Sequence, residues 1–326
     1  MVAVHSTARG ASLGGCRMWT YHDARAAVRD VLRLSEAMTF KAAVADLPQG
    51  GGKGVIMLRP GQALDPERRL DALRDFAETV SSLDGRYRTA EDVGTSDPDM
   101  AVIAQHTPHV TGLAVESGGS GDPSPWTALG VACSIEAACE RVWGSPSLAG
   151  RRVSLVGLGR VGGHLARLLA KAGADLVVGD IDEGKRALAE ELGAEWSDPE
   201  RAMRIDCDVL APCALGAVLD DRSVAELRCS AIAGAANNQL ASEGVADLLA
   251  ARGILWAPDF VANAGGIVNI AVELEPSGYD ANRAEPAVRA IGDTMRLIFD
   301  DAASSGATPL TAAMALARQR LAAAGT

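Results

Sequence analysis

Two lysines and two glycine runs are the residues of this sequence best suited to chemistry. Lys41 closes Met38-Thr39-Phe40-Lys41, and Lys53 sits inside Gln49-Gly50-Gly51-Gly52-Lys53-Gly54. A small substrate can closely approach a lysine set against bare glycine backbone, and partial desolvation would lower its pKa toward the range of a general base. The competing reading is the ordinary one, a solvated lysine after a flexible turn. A phosphate-binding P-loop is excluded, because Leu47 stands where its first glycine belongs and Gly54 where its Ser/Thr belongs.

The second run, Gly157-Leu158-Gly159-Arg160-Val161-Gly162, fits G-x-G-x-x-G, and its context gives the pattern weight. An apolar run at 153–156 precedes it, an Ala/Leu-rich stretch at 164–172 follows, Gly173 ends that stretch, and a second apolar run leads into Asp180. In such a unit the first glycine makes the tight turn, the second admits the pyrophosphate, and the third lets helix and strand pack. The helix N-terminus then turns its unpaired N–H groups on the phosphates. A glycine-rich turn that binds nothing is the bland alternative. Asp180 stands where a carboxylate would accept the ribose 2′-OH and repel a 2′-phosphate, so NAD is expected over NADP. Thr127 and Asn237 or Asn238 are candidates for the nicotinamide amide or its ribose, with loop capping the competing reading for asparagine. Cys213, Ala214 and Ala235 fall at the carboxyl ends of expected strands, where open α/β sheets bind ligands. His106 and His109 have no third ligand in sight, and no metal is expected.

These residues need elements to hold them. Helical periodicity over 23–39 predicts an amphipathic helix, and a short strand is expected at 55–58 after the glycines. Asp65 and Pro66 mark the start of another helix, with Leu70, Leu73, Phe76 and Val80 as its stripe and Gly85 as its stop. The Gly/Ser/Pro-rich stretch 115–126 reads as an interdomain loop. Beyond a helix near 127–143, apolar runs at 153–156, 176–179, 209–210, 231–233 and 254–256 alternate with helical stretches, the pattern of a doubly wound parallel sheet. Further helices are expected at 288–304 and 308–323. The fold expected is α/β with two domains. One is an N-terminal α/β substrate and catalytic domain over 1–122, joined by a C-terminal helix at about 305–326. The other is a Rossmann-type dinucleotide-binding domain over 123–304.

At 326 residues the chain suits two domains. Its 42 acidic against 31 basic residues leave a net charge of −11, which disfavours nucleic-acid and anionic-membrane partners. No apolar run approaches the roughly 20 residues of a transmembrane helix, and no signal peptide opens the chain, so a cytoplasmic location is expected. Six cysteines without a C-x-x-C pair read as reduced, mostly buried thiols.

Several ordered segments resemble the leucine/phenylalanine/valine dehydrogenase branch of the glutamate dehydrogenase superfamily. Leu13-Gly14-Gly15-Cys16-Arg17-Met18-Trp19 is similar to its LGGTRMW, Met38 to Lys41 to its MTYK, Gly50 to Lys53 to its GGGK, and Thr89-Ala90-Glu91-Asp92-Val93-Gly94-Thr95 to its TAEDVGT. Matches continue through 207–219, 233–240, 257–260 and 263–266. The resemblance implies NAD-dependent, reversible oxidative deamination of an apolar L-amino acid to a 2-oxo acid and ammonium. It implies that Lys41 holds the α-carboxylate, that Lys53 activates water, and that Asp92 moves protons to and from the nitrogen. Leu13, Gly14, Gly15, Met38 and Ala90 would line the substrate, Asn263 would touch substrate and cofactor, and the protein would be a homo-oligomer. Family members generally carry a further helix and strand before the segment matching 1–12, and Cys16 replaces a threonine. An apolar Leu13, where glutamate-specific relatives place a lysine, points to leucine or valine, with phenylalanine as a further substrate. Glutamate dehydrogenase is the alternative enzyme, and a non-catalytic NAD-binding homologue the alternative of another class.

Overall fold

The computed structural model describes residues 1–62 and 64–324, so the last two residues of the helical segment expected at 305–326 lie outside the described residues. The chain packs as two compact units. One comprises Met1–Pro123, Ile267–Ala284 and the described residues from Ala317; the other comprises Ser124–Gly266 and Glu285–Leu316.

The first unit holds a four-stranded sheet of β1 (Val2–Ser6), β2 (Ser12–Thr20), β3 (Gly50–Leu58) and β4 (Tyr87–Glu91), in the order β1-β3-β2-β4. Only β1 runs antiparallel to its neighbour. Helix α1 (Ala24–Val44) is capped by Asp23, whose carboxylate accepts from the Ala26 N–H. It runs five residues past the expected end, and so carries both Met38 and Lys41. Helix α2 (Pro66–Ser81) starts as expected, with Asp65 accepting from the Arg68 N–H, and stops before Gly85. Leu73, Phe76 and Val80 are buried, but Leu70 of the expected stripe is not. Helix α3 (Asp97–Ala104) begins with a capping box between Ser96 and Asp99.

The glycine run is strand, so β3 begins five residues before the expected 55. Periodicity cannot register a strand that has no side chains, and here their absence is required on both faces. A Cβ on Gly51 would lie 2.1 Å from the backbone N of Thr39 in α1, and one on Gly54 would lie 2.4 Å from the Phe76 ring of α2. The strand is thus pressed between two helices closer than any larger residue allows.

The second unit is a six-stranded parallel sheet of β5 (Arg152–Val156), β6 (Asp175–Gly179), β7 (Glu195–Ser197), β8 (Val209–Pro212), β9 (Ala231–Ile232) and β10 (Leu255–Trp256), in the order β10-β9-β8-β5-β6-β7. Five of these strands coincide with the apolar runs. The sixth, Glu195-Trp196-Ser197, is a short polar edge strand without an apolar signature. Helix α4 (Ser124–Trp143) precedes the sheet, and α5 (Arg160–Lys171) follows β5. The chain winds outward in one direction through β6 and β7 and in the other through β8, β9 and β10, which makes the carboxyl ends of β5 and β8 the switch point of the sheet.

All six cysteines are free thiols, and burial pushes those of Cys133, Cys139 and Cys207 up to about 11. Among the described residues no helix is long and apolar enough to cross a membrane.

Candidate active site

In the first unit the parallel register of β2 with β3 and β4 pairs Leu13 with Gly51 and Gly15 with Ala90. Side chains alternate along a strand, so Leu13, Gly15 and Arg17 share one face with Lys53 of β3 and Ala90 of β4, and Asp92, the residue after β4, reaches that face. On that face Lys53 is 5 % exposed, and its Nζ meets Asp92 Oδ2 at 2.9 Å. Arg17 Nε donates to the same oxygen at 2.9 Å. Burial alone would raise the Asp92 carboxyl, but the charges of Lys53 and Arg17 outweigh it and hold the carboxyl below the usual carboxylate range.

The backbone that carries Asp92 is pinned as well. Thr95 Oγ1 accepts from the Asp92 N–H and donates to the Cys16 carbonyl, while the Met18 N–H donates to the Val93 carbonyl. Gly15 leaves room for this arrangement, since a Cβ there would lie 2.7 Å from that of Asp92. Leu13 and Ala90 are buried on the same face, 1 % and 4 % exposed. Gly14 cannot change either, because its Cβ would fall 1.8 Å from the Gly52 carbonyl oxygen. Met38 and Lys41 flank Thr39, the point where α1 closes on Gly51 of β3. Arg17 is the residue that motif reading passed over. The signal for it was the period-two spacing Leu13, Gly15, Arg17 within a segment already singled out.

In the second unit the G-x-G-x-x-G turn links the carboxyl end of β5 to α5. Gly157 has φ +102°, and a Cβ on it would lie 2.7 Å from that of Ala214. A Cβ on Gly162 would lie 1.9 Å from the Gly157 carbonyl oxygen. Gly159 differs: its φ is negative, and nothing in the protein lies within 4 Å of where its Cβ would be. No protein contact requires glycine at that position, which is the N-cap of the 12-residue helix that begins with Arg160 and Val161. Asp180, just beyond β6, accepts from the Leu158 N–H at 2.6 Å and from the Asp182 N–H at 2.9 Å, so the turn and the acidic residue are held together.

The other residues singled out for this unit surround the same strand ends. The Cys213 N–H donates to the Val156 carbonyl, placing Cys213 and Ala214 beside the turn. The Asn263 amide donates to the Ala235 carbonyl at 3.2 Å and to Asn237 Oδ1 at 2.9 Å. Gly265 packs so closely on the first turn of α4 that a Cβ would sit 3.0 Å from Thr127 Cα. Sequence reading overlooked Gln239, which is fully buried. Its side chain donates to the Gly234 and Ala236 carbonyls and accepts from the Trp256 indole, so it braces the loop that carries Ala235 and Asn237. These residues fit a small-residue dinucleotide cradle at a switch point, with an acidic partner just past the end of the next strand.

Residues 1–109 match the family model described as Glu/Leu/Phe/Val dehydrogenase, dimerisation domain, and residues 179–326 that described as Glutamate/Leucine/Phenylalanine/Valine dehydrogenase. Over 98 % of its length the chain is 42 % identical to a leucine dehydrogenase of Geobacillus stearothermophilus, of which it covers 86 %. It is 44 % identical to a valine dehydrogenase of Streptomyces virginiae over 98 % of the chain and 89 % of that protein. The crystal structure of L-tryptophan dehydrogenase from Nostoc punctiforme superimposes with a TM-score of 0.85 at 39 % identity, over 99 % of this chain and 91 % of that one.

Proposed function

Because the chain belongs to the glutamate/leucine/phenylalanine/valine dehydrogenase family, we propose that it catalyses the reversible oxidative deamination of an apolar L-amino acid, using NAD, to the 2-oxo acid and ammonium. The observation that carries this reading is the Lys53–Asp92 pair, a buried cation and a carboxylate at 2.9 Å on the face shared with Leu13 and Ala90. A non-catalytic descendant would have no need of that pair.

In this reading Lys41 holds the substrate α-carboxylate with its charge. Asp92 takes a proton from the substrate ammonium, freeing the nitrogen lone pair that drives hydride from Cα. When bound, the nicotinamide ring supplies the acceptor for that hydride. Lys53, having released its own proton to solvent, orients water and takes a proton from it as it adds to the iminium carbon; Asp92 returns a proton to the nitrogen, and as ammonia leaves, the hydroxyl of the adduct gives its proton to solvent and becomes the carbonyl. Water supplies the new carbonyl oxygen, and the substrate gives up two electrons with the hydride. Thr127, Asn237 and Asn263 hold the nicotinamide end of the cofactor. Gly157, Leu158, Gly159, Arg160, Val161 and Gly162 hold the pyrophosphate, with Cys213, Ala214 and Ala235 as the neighbouring wall. Asp180 accepts the ribose hydroxyl and favours NAD over NADP.

The apolar substrate is read from Leu13, Met38 and Ala90, none of which could neutralise a second carboxylate. Burying one unpaired would cost several kcal/mol, so glutamate should be rejected by orders of magnitude, whereas one methylene among apolar side chains changes selectivity only modestly. The relatives named for leucine, valine and L-tryptophan support the same class. A homo-oligomer is proposed with it, supported by the dimerisation domain named in the match to residues 1–109. The deciding experiment measures NADH formation with NAD and leucine, valine, isoleucine, phenylalanine, tryptophan or glutamate. Turnover on the apolar set is expected, and glutamate as the best substrate would overturn the assignment.

A further inference from the structure

We propose that Arg17 is a positioning residue for the deamination chemistry, holding Asp92 ionised and fixing which of its oxygens exchanges the proton. The inference rests on the function proposed above, in which Asp92 is the proton carrier. Arg17 is not set beside Asp92 by packing alone. Its Nε donates to Asp92 Oδ2, while its Nη1 donates to Asp30 Oδ2 on α1 at 3.1 Å. Asp30 is itself held, by the Tyr21 hydroxyl at 2.7 Å and by Arg33 at 2.8 Å. The guanidinium is therefore fixed between two carboxylates by a planar fork that lysine cannot reproduce.

Lys53 and Arg17 converge on the same Asp92 oxygen. The proton exchanged with substrate nitrogen is thereby directed to Oδ1, and Lys53 keeps Oδ2 as its partner while it handles water. A second cation also answers a problem of balance. When Lys53 gives up a proton during the reaction, Arg17 remains, and Asp92 is not left as an unpaired charge in a half-buried site. Further out, Cys16 on β2 and Tyr87 on β4 are buried on the opposite face of the sheet from Asp92, Glu91 is adjacent in the chain, and Asp30, Tyr21 and the Arg33 cation lie behind Arg17.

The test is the pH dependence of kcat/KM for amino-acid oxidation in the unmodified enzyme and in Arg17→Gln, Arg17→Met and Arg17→Lys, with calorimetric melting measured alongside as a check that each variant is folded. Removing a cation next to a carboxyl raises its pKa. The acidic limb should therefore move up by about one pH unit or more in Arg17→Gln and Arg17→Met, with kcat at neutral pH at least tenfold lower. Arg17→Lys should bring the limb most of the way back while leaving kcat depressed, because charge is restored but the fork is not. An acidic limb unmoved in whichever neutral variant melts as a folded protein overturns the proposal, even if kcat falls, since a merely structural role would lower kcat alone. If the unmodified protein does not turn over any amino acid, the function proposed above fails and this inference fails with it. Turnover in the unmodified protein together with an unmoved limb in the variants overturns only the role of Arg17.

Discussion

At the scale of single residues, the roles proposed for the Lys53–Asp92 pair and for Lys41 separate chemistry from binding. Lys53→Ala and Asp92→Asn should each lower kcat by orders of magnitude, whereas Lys41→Ala should act mainly on the amino-acid KM, which steady-state kinetics on the three variants resolves. Asp92 also ties stability to pH. Its folded pKa lies below the ordinary value of about 4, so its contribution is complete above that value and is lost as pH falls through the folded one. The stability gap between the unmodified protein and Asp92→Asn should therefore be flat around neutrality and close only in acid, as denaturant melts at a series of pH values would show. Asp180, proposed above to accept the ribose hydroxyl, also clamps the Leu158 N–H with its carboxylate. Asp180→Ala should lower NADH affinity and erode the preference for NAD over NADP together, measured as the ratio of kcat/KM for the two cofactors.

At the scale of elements, the glycines of the β5–α5 turn are required for different reasons, and the reasons can be separated. Gly162→Ala places a Cβ 1.9 Å from a carbonyl oxygen within the turn, so strand and helix must move apart and the melting temperature should fall by several degrees. Gly159→Ala meets no protein atom. It should leave the melting temperature within a degree or so of the parent and yet weaken NADH binding at least tenfold. Calorimetric melts and NADH titration on the two variants decide this, and equal melting temperatures would refute the distinction. The same logic explains β3, where glycine was legible in the sequence but strand was not. The helices on either side of β3 set its composition, and those contacts are remote in the chain.

At the scale of the whole molecule, each unit has its own sheet and its own buried core. A defect confined to the chemistry of the first should therefore leave dinucleotide binding in the second untouched. Lys53→Ala is expected to bind NADH within about twofold of the parent, as read by fluorescence titration, while being almost inactive. By itself the sequence determined the parallel sheet, the glycine-rich turn between β5 and α5, the helix cap at Asp65, and the reaction class. Those features rest on short-range patterns: apolar runs, capping residues, glycine spacing and motifs carried on contiguous segments. Only the tertiary structure decided that Gly50 to Gly54 form a strand pressed between two helices, that Glu195-Trp196-Ser197 extends the sheet edge, and that Arg17 shares Asp92 with Lys53. Each of these depends on which remote residues a backbone segment lies against. Pairing across strands and packing of helices on sheets bring together residues dozens of positions apart, and no local pattern reports that distance.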